Sequence, residues 1–403
     1  MNSEAAGRLL ALPKAPDAIE LRHLRAFVAV AEELNFSRAA ERMFITQPAL
    51  SRQIRHLERL LSVDLLTRST HRVELTVAGE ALLVRTRPLL GDLDEALATT
   101  QSVGGENQQR LARLTQPVID RMLEGLDSYR EAFEVMNAPF PTPAGVTARP
   151  VNAAGVPCLV YGTEPGRTPT VVYAHGGGNL AGSAYGSRPL AGILAVACDA
   201  AVLVPDFRLA PEHRYPAAVE DVEIAFRWLS AKLAPKDITL IGDSSGAGLV
   251  MSLLHRLRVN GEPMPGRVVL LSPWVDPQCR FLDRETEASP QARAVRDSVD
   301  MCVPTYLGQT PRNDPAVNAL EADLTGYPAM LIQVGTGDFV VHEARELATA
   351  AQAAGVPADL ELYPVNTHVF QLFWSFLPEA AKAIERVGQW VNSASAADRT
   401  EAG

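Results

Sequence analysis

With 403 residues, 47% of them apolar and 21% charged, the chain suits two or three soluble domains with sizeable cores. No apolar run approaches the roughly 20 residues that span a bilayer, and the short patch at residues 9–12 is stopped by Pro13, so neither a membrane nor a signal peptide is expected. The net charge of −10 argues against a nucleic-acid partner, yet residues 21–90 hold eleven Arg and no Lys against seven acidic residues, +4 there and −14 elsewhere, the footprint of one domain that meets phosphate.

Residues 1–20 read as a flexible lead-in. Helical periodicity begins at Leu21, with Leu24, Phe27, Val28 and Ala31 on one face, and breaks at Asn35-Phe36-Ser37. Ser37 is the expected N-cap of a short second helix, 38–43. After the turn 44–47, Pro48 marks the start of a third helix, whose Leu50, Ile54, Leu57 and Leu61 form one buried stripe. Gln47, Ser51, Arg52, Arg55 and Arg59 occupy the opposite face. Residues 63–68 and 72–75 read as two short strands around a tight turn, a wing that carries Arg68 and Arg72. Thr76 caps a long helix to about residue 100, apolar at Leu82, Leu83, Leu89, Leu90, Leu93 and Leu97. So small a domain cannot bury that stripe, and a second copy of the chain is the expected cover. The expected divisions are a winged helix-turn-helix over 21–78, a dimerisation helix over 76–102 and a polar linker over 103–110.

Residues 111–145 are expected to form a small helical cap and 146–394 an α/β core, followed by a flexible tail over 395–403. In the core, β-branched runs at 170–174, 201–204, 239–241, 268–271, 330–334 and 359–363 alternate with helical stretches. Buried strands separated by helices imply a mostly parallel, doubly wound sheet.

Two constellations carry chemistry. A short helix, a turn and a third helix could form an ordinary bundle. The mixture of Arg with the small Ala49 and Ser51 on the outer face favours approach to a major groove, with Arg68 and Arg72 placed for phosphates.

In the core, an apolar strand runs into Gly242-Asp243-Ser244-Ser245-Gly246 and then a helix, a G-x-S-x-G elbow that presents a serine hydroxyl above the sheet. The chain order for such a site is Ser, acid, His. That order sets aside His175, His213 and His255, and it leaves Asp338 with His368, since His342 sits only four residues after Asp338 as a solvated or capping residue. Asp338 also sits where a helix N-cap would. The triplet Gly176-Gly177-Gly178 after His175 frees backbone N–H groups of Gly177 and Gly178 to meet an oxyanion, joined by that of Ser245. His175 itself reads as structural. A phosphate cradle would need a following Lys-Ser/Thr, which is absent.

Residues 24–83, with LRAFVAVAEELNFSRAAERMFITQPALSRQIRHLERLL and RVELTVAGEALL, resemble the DNA-binding domain of LysR-type transcriptional regulators. The resemblance implies a winged helix-turn-helix reading double-stranded operator DNA as a dimer or dimer of dimers. Gln47, Ser51 and Arg52 then face the groove, while Arg68 and Arg72 meet phosphates. Leu66-Thr67 departs from the family's usual aromatic residue, a matter of packing beneath the wing. The family's periplasmic-binding-protein-like effector domain does not follow.

Instead, AHGGG at 174–178, DFRLAPEHRYPAA at 206–218, GDSSG at 242–246 and LSPWVDP at 271–277, then Asp338 and His368, resemble the hormone-sensitive-lipase family of α/β-hydrolases over about 111–392. Ala247 replaces a usual glycine. The resemblance implies carboxylic ester hydrolysis, with Arg208 and Glu212 as structural supports. The combined reading is a regulator whose effector domain hydrolyses an ester or lactone by a Ser244-His368-Asp338 triad. The alternative is a pure ligand sensor, as in the plant gibberellin receptors that resemble the same family. Those receptors have lost the base histidine, which His368 supplies here. An esterase whose helix-turn-helix no longer reads DNA is the third reading, disfavoured by the groove-facing residues. No cofactor or metal is expected, because Cys158, Cys198, Cys279 and Cys302 lack ligand spacing, and a reducing cytoplasm is the expected compartment.

Overall fold

The computed structural model describes residues 19–43, 45–68, 73–103, 105–282 and 290–401. The chain divides into two compact units between Ala98 and Thr99.

The first unit is built on α1 (Leu21–Glu33), α2 (Phe36–Arg42) and α3 (Gln47–Leu61), followed by β1 (Leu66–Arg68) and β2 (Val73–Leu75). The two strands pair antiparallel, Leu66 opposite Leu75. Its core consists of Phe27 and Val30 from α1, Ala39 from α2, and Leu50, Ile54 and Leu57 from α3, all fully buried, with Leu65 beneath the wing. Asn35 caps α2, not Ser37: Asn35 Oδ1 accepts the N–H groups of Ser37 and Arg38 at 2.9 and 3.1 Å. The cap must hold extended backbone, which Asn35 does, whereas Ser37 lies inside the first turn. Glu58 turns inward from α3, and its Oε1 accepts from Leu65 and Leu66 N–H, tying the wing to the recognition helix.

The helix α4 (Val77–Val103) starts at Thr76, whose hydroxyl accepts from Gly79 N–H at 3.0 Å and donates to the Asp64 carbonyl at 2.8 Å. Leu82 and Leu83 pack on the core of this unit and Leu90 is buried, whereas Val84, Leu89 and Leu97 on α4 are 71%, 65% and 51% exposed. The linker expected over 103–110 is helical from Glu106: α5 (Glu106–Glu124) begins directly after Gly105, its N-cap. Glu and Gln are good helix formers, Leu111 is fully buried, and Asn107, Gln109 and Arg110 are exposed, so polarity at those positions marks an outer face rather than a break.

In the second unit, α6 (Leu126–Asn137) follows α5 and precedes an eight-stranded sheet. Its strands are β3 (Thr147–Ala153), β4 (Val156–Gly162), β5 (Pro169–Ala174), β6 (Ala201–Pro205), β7 (Thr239–Asp243), β8 (Arg267–Leu271), β9 (Ala329–Gly335) and β10 (Ala358–Tyr363), in the order β10-β9-β8-β7-β5-β6-β4-β3. The six strands from β5 to β10 are parallel, while β3 and β4 form an antiparallel hairpin at one edge. Along the central strands alternate residues enter different cores: Leu240 and Val268 on one face, Ile241 and Val269 on the other. The first face is covered by α8 (Ala217–Ser230), α9 (Ser245–Val259) and α11 (Val341–Ala353), the second by α7 (Arg188–Ala197) and α12 (Pro378–Glu401). The helix α10 (Pro290–Leu307) packs against α5. The tail expected over 395–403 is helical through Glu401, as its alanines permit.

Candidate active site and nucleic-acid interface

Ser244 joins β7 to α9 with φ 51° and ψ −123°, a strained conformation that lifts its side chain off the sheet edge. The flanking glycines are steric requirements. A Cβ on Gly242 would lie 2.6 Å from the Gly246 carbonyl oxygen, and one on Gly246 would lie 2.1 Å from that of Ala174. The structure brings the three expected side chains together: Ser244 Oγ is 2.7 Å from His368 Nε2, and His368 Nδ1 is 2.9 and 3.2 Å from the oxygens of Asp338. Asp338 is buried at the end of β9, and its carboxylate also accepts from Val340 N–H at 3.3 Å. That bond lies just ahead of α11, so the residue orients the imidazole and steadies the turn together.

His368 rests against Phe339, ring centroids 4.5 Å apart. The next residue, Val369, donates its N–H to Ser272 Oγ at 3.1 Å, and Ser272 N–H donates to the Gln333 carbonyl. Ser272 thus moors the histidine loop to the sheet. His342 is exposed on α11 beside Phe281 and takes no part in the cluster. His175 is buried, stacked on Phe207 at 4.2 Å, with Nδ1 2.7 Å from the Gly176 carbonyl; burial lowers its pKa and keeps the ring neutral.

Gly177 and Gly178 adopt φ of 117° and 65°, left-handed backbone that a side chain resists. Beside them, Ser245 opens α9, whose N-terminal N–H groups and dipole favour negative charge. Sequence reasoning missed Asp243. Its Oδ1 accepts from the Tyr173 hydroxyl at 2.6 Å and from Gly176 N–H at 2.9 Å, and burial pushes its carboxyl up to about 6. Glu343 is a second missed acid: one carboxyl oxygen accepts from Val275 and Asp276 N–H, and burial raises its pKa well above the ordinary range. The signal for Asp243 was its place, an acid inside the elbow motif.

The helix α6 is fastened over this region by Arg130. Its guanidinium donates to the carbonyls of Leu180 and Ala210 and makes a bidentate pair with Glu212, both bonds 2.7 Å. Arg130 draws the Glu212 carboxyl down to about 2. Arg208 pairs instead with the buried Asp221 through both side chains.

On α3, Gln47, Arg52, Arg55 and Arg59 are exposed and Ser51 is half-buried. Arg55 Nη2 donates to Ser51 Oγ at 3.2 Å. An open basin of about 1080 Å³ between α1 and α3 is lined by Arg22, Arg52, Arg55 and Arg59. Arg68 ends β1, and Arg72 lies outside the described residues. Among the described residues no group of His, Cys, Asp and Glu could hold a metal ion, the four cysteines are buried and unpaired, and no helix is long and apolar enough to cross a membrane.

Residues 21–80 match the bacterial regulatory helix-turn-helix proteins of the lysR family, and residues 171–372 match the alpha/beta hydrolase fold family. The chain is 36% identical over 241 residues to an acetyl-hydrolase of Streptomyces hygroscopicus, covering 59% of this chain and 81% of that protein. It is 30% identical to an esterase of Acinetobacter venetianus, covering 63% of this chain and 84% of the other. Among solved structures, it is similar to an esterase from the bacterial hormone-sensitive lipase family, with TM-score 0.65 and 36% identity, covering 70% of this chain and 97% of that one. The structure of EstE5 soaked with p-nitrophenyl butyrate gives a TM-score of 0.62 at 33% identity, covering 67% of this chain and 91% of that one. A LysR-type helix-turn-helix followed by an α/β-hydrolase domain is therefore what this chain is, and its larger part belongs to the hormone-sensitive-lipase family.

Proposed function

We propose that the chain is a DNA-binding transcriptional regulator whose effector domain is a serine hydrolase of carboxylic esters or lactones. The observation that carries the enzymatic half is the hydrogen-bonded chain Ser244–His368–Asp338. With Nδ1–H directed to Asp338, the free lone pair of Nε2 faces the Ser244 hydroxyl. Ser244 Oγ attacks the carbonyl carbon as Nε2 takes its proton, and the Asp338 carboxylate stabilises the imidazolium. The N–H groups of Gly177, Gly178 and Ser245 hold the tetrahedral oxyanion, each such donor being worth about a hundredfold in rate. Collapse expels the alcohol, which takes the proton from Nε2. Water then attacks the acyl-serine with His368 again as base, and the acid is released.

The regulatory half rests on the exposed face of α3, where Gln47, Ser51 and Arg52 meet a major groove and Arg55 the backbone beside it, and the family resemblance adds Arg68 and Arg72 as phosphate contacts. The exposed apolar residues of α4 support a homodimer, or a dimer of dimers, in which a second copy covers that helix. Binding to operator DNA places the protein in the cytoplasm. The protein would then destroy the ligand it senses.

The test uses the full chain and its Ser244→Ala variant on short p-nitrophenyl esters and on lactones, together with gel shifts on DNA upstream of the gene. Serine-dependent turnover and a salt-sensitive, sequence-specific complex are expected. Ligand-dependent DNA binding without any turnover would replace this reading by that of a pure sensor.

A further inference from the structure

Tyr129 lies on α6, one residue before the Arg130 fastener. Its ring meets Phe133 edge-on at 6.0 Å and packs in the same core as Val299, Cys302 and Val303 of α10. A methyl group built on Gly178 would lie 3.9 Å from the Tyr129 hydroxyl and 3.1 Å from Cys302 Sγ. The hydroxyl therefore borders the glycine assigned above to the oxyanion. Tyr129 is 3% exposed, yet its hydroxyl makes no hydrogen bond among the described residues. The four hydrogen bonds of Arg130 nonetheless hold this turn of α6 in place. Burial also raises the phenol pKa well above its ordinary value, so the O–H remains a donor at any working pH.

Resting on the ester-hydrolase reading, we infer that Tyr129 is a specificity-determining residue whose hydroxyl donates to an acceptor oxygen that the substrate carries beside its scissile carbonyl. The hydroxyl stands where a Gly178 side chain would point, not along the Gly178 N–H. The oxygen it meets is thus a neighbour of the oxyanion and not the oxyanion itself. The class selected is an alkoxy- or keto-acyl ester, or a lactone bearing such an oxygen, in preference to a plain alkanoyl ester.

The experiment compares p-nitrophenyl methoxyacetate with p-nitrophenyl butyrate, which differ by one oxygen in place of one methylene. Each rate is divided by the ester's alkaline hydrolysis rate to remove intrinsic reactivity. In Tyr129→Phe, kcat/KM is expected to fall about fivefold for the methoxyacetate, as loss of one neutral hydrogen bond implies, and less than about twofold for the butyrate. Equal losses on both esters, or none on either, would overturn the inference. A melting curve of the variant checks its fold. If it does not fold, the normalised wild-type ratio decides: preference for methoxyacetate supports the assignment and preference for butyrate sinks it. Should Ser244 turn over neither ester, the hydrolase reading falls by itself. Calorimetry then decides the Tyr129 assignment: methyl methoxyacetate binding more tightly to Ser244→Ala than to Ser244→Ala/Tyr129→Phe upholds it, and equal binding refutes it.

Discussion

The carboxylate of Asp243 accepts the backbone N–H of Gly176 at 2.9 Å, which ties the residue before the elbow serine to the loop of Gly177 and Gly178. The same oxygen receives the Tyr173 hydroxyl from β5, so two neighbouring strands share one buried acceptor. One side chain thereby sets both Ser244 and the loop proposed to hold the oxyanion.

That acid has a pH signature. Its carboxyl titrates at about 6 in the fold against an ordinary 3.8, chiefly because burial disfavours the charge. A carboxyl raised on folding contributes stability that is fully present below the unfolded value and is lost as pH rises through the folded one. Melting curves of wild type and Asp243→Asn between about pH 4 and 7 should show the wild type losing ground to the variant, by on the order of 2–3 kcal/mol. A constant difference across that range would mean that Asp243 stays ionised. Asp243→Ala, which leaves Gly176 N–H without its acceptor, should lower kcat about tenfold or more.

The two glycines proposed to hold the oxyanion differ in tolerance. A Cβ on Gly177, at φ 117°, would sit 2.2 Å from the Ala181 carbonyl oxygen, a backbone atom that cannot yield. On Gly178, at φ 65°, the nearest atom is the Cys302 side chain at 3.1 Å. Gly177→Ala should therefore abolish turnover, about a hundredfold loss or more, while Gly178→Ala keeps a measurable fraction. The reverse order of damage would show that Gly178 is the more tightly constrained donor.

The parts legible in the sequence are those whose signal is local. The α3 stripe of Leu50, Ile54 and Leu57 and the β7 elbow each announce themselves within a few residues. The edge hairpin β3–β4 was harder to read. Most of β3 faces solvent and it contains Arg149, Pro150 and Asn152, so it shows no apolar run. Asp243, Ser272 and Glu343 escaped because their partners, Gly176, Val369 and Val275, lie more than 60 residues away in the chain. Spacing cannot reveal a bond that only the sheet order creates.

Arg130 ties α6 to the segments of Leu180, Ala210 and Glu212. Removing it in Arg130→Ala strands the carbonyls of Leu180 and Ala210 and frees Glu212. Because the pair is partly exposed, the cost to stability should be modest, about 1–2 kcal/mol. The effect on catalysis should fall mainly on KM, since α6 carries Tyr129 beside Gly178 while Ser244, His368 and Asp338 are held from the sheet. Steady-state kinetics separates the two: a fall in kcat with unchanged KM would argue that Arg130 instead shapes the oxyanion loop through Leu180.

On α3, position along the helix separates two kinds of DNA contact. The N-terminal residues of a recognition helix reach base edges, and residues a turn further in meet the backbone. Arg52 lies in the first turns, whereas Arg55 is one turn on and already shares Ser51 as a partner. Arg52→Ala should thus cost about 1–3 kcal/mol on the cognate sequence and little on scrambled DNA. Arg55→Ala should weaken both alike and reduce the slope of log affinity against log salt by about 1. Binding isotherms at several salt concentrations measure both quantities, and Ser244→Ala serves as the reference because its DNA-binding unit is untouched. Identical behaviour of the two arginine variants would mean that α3 lies across the backbone without entering the groove. In that case the specificity would have to come from the wing or from the shape of the DNA.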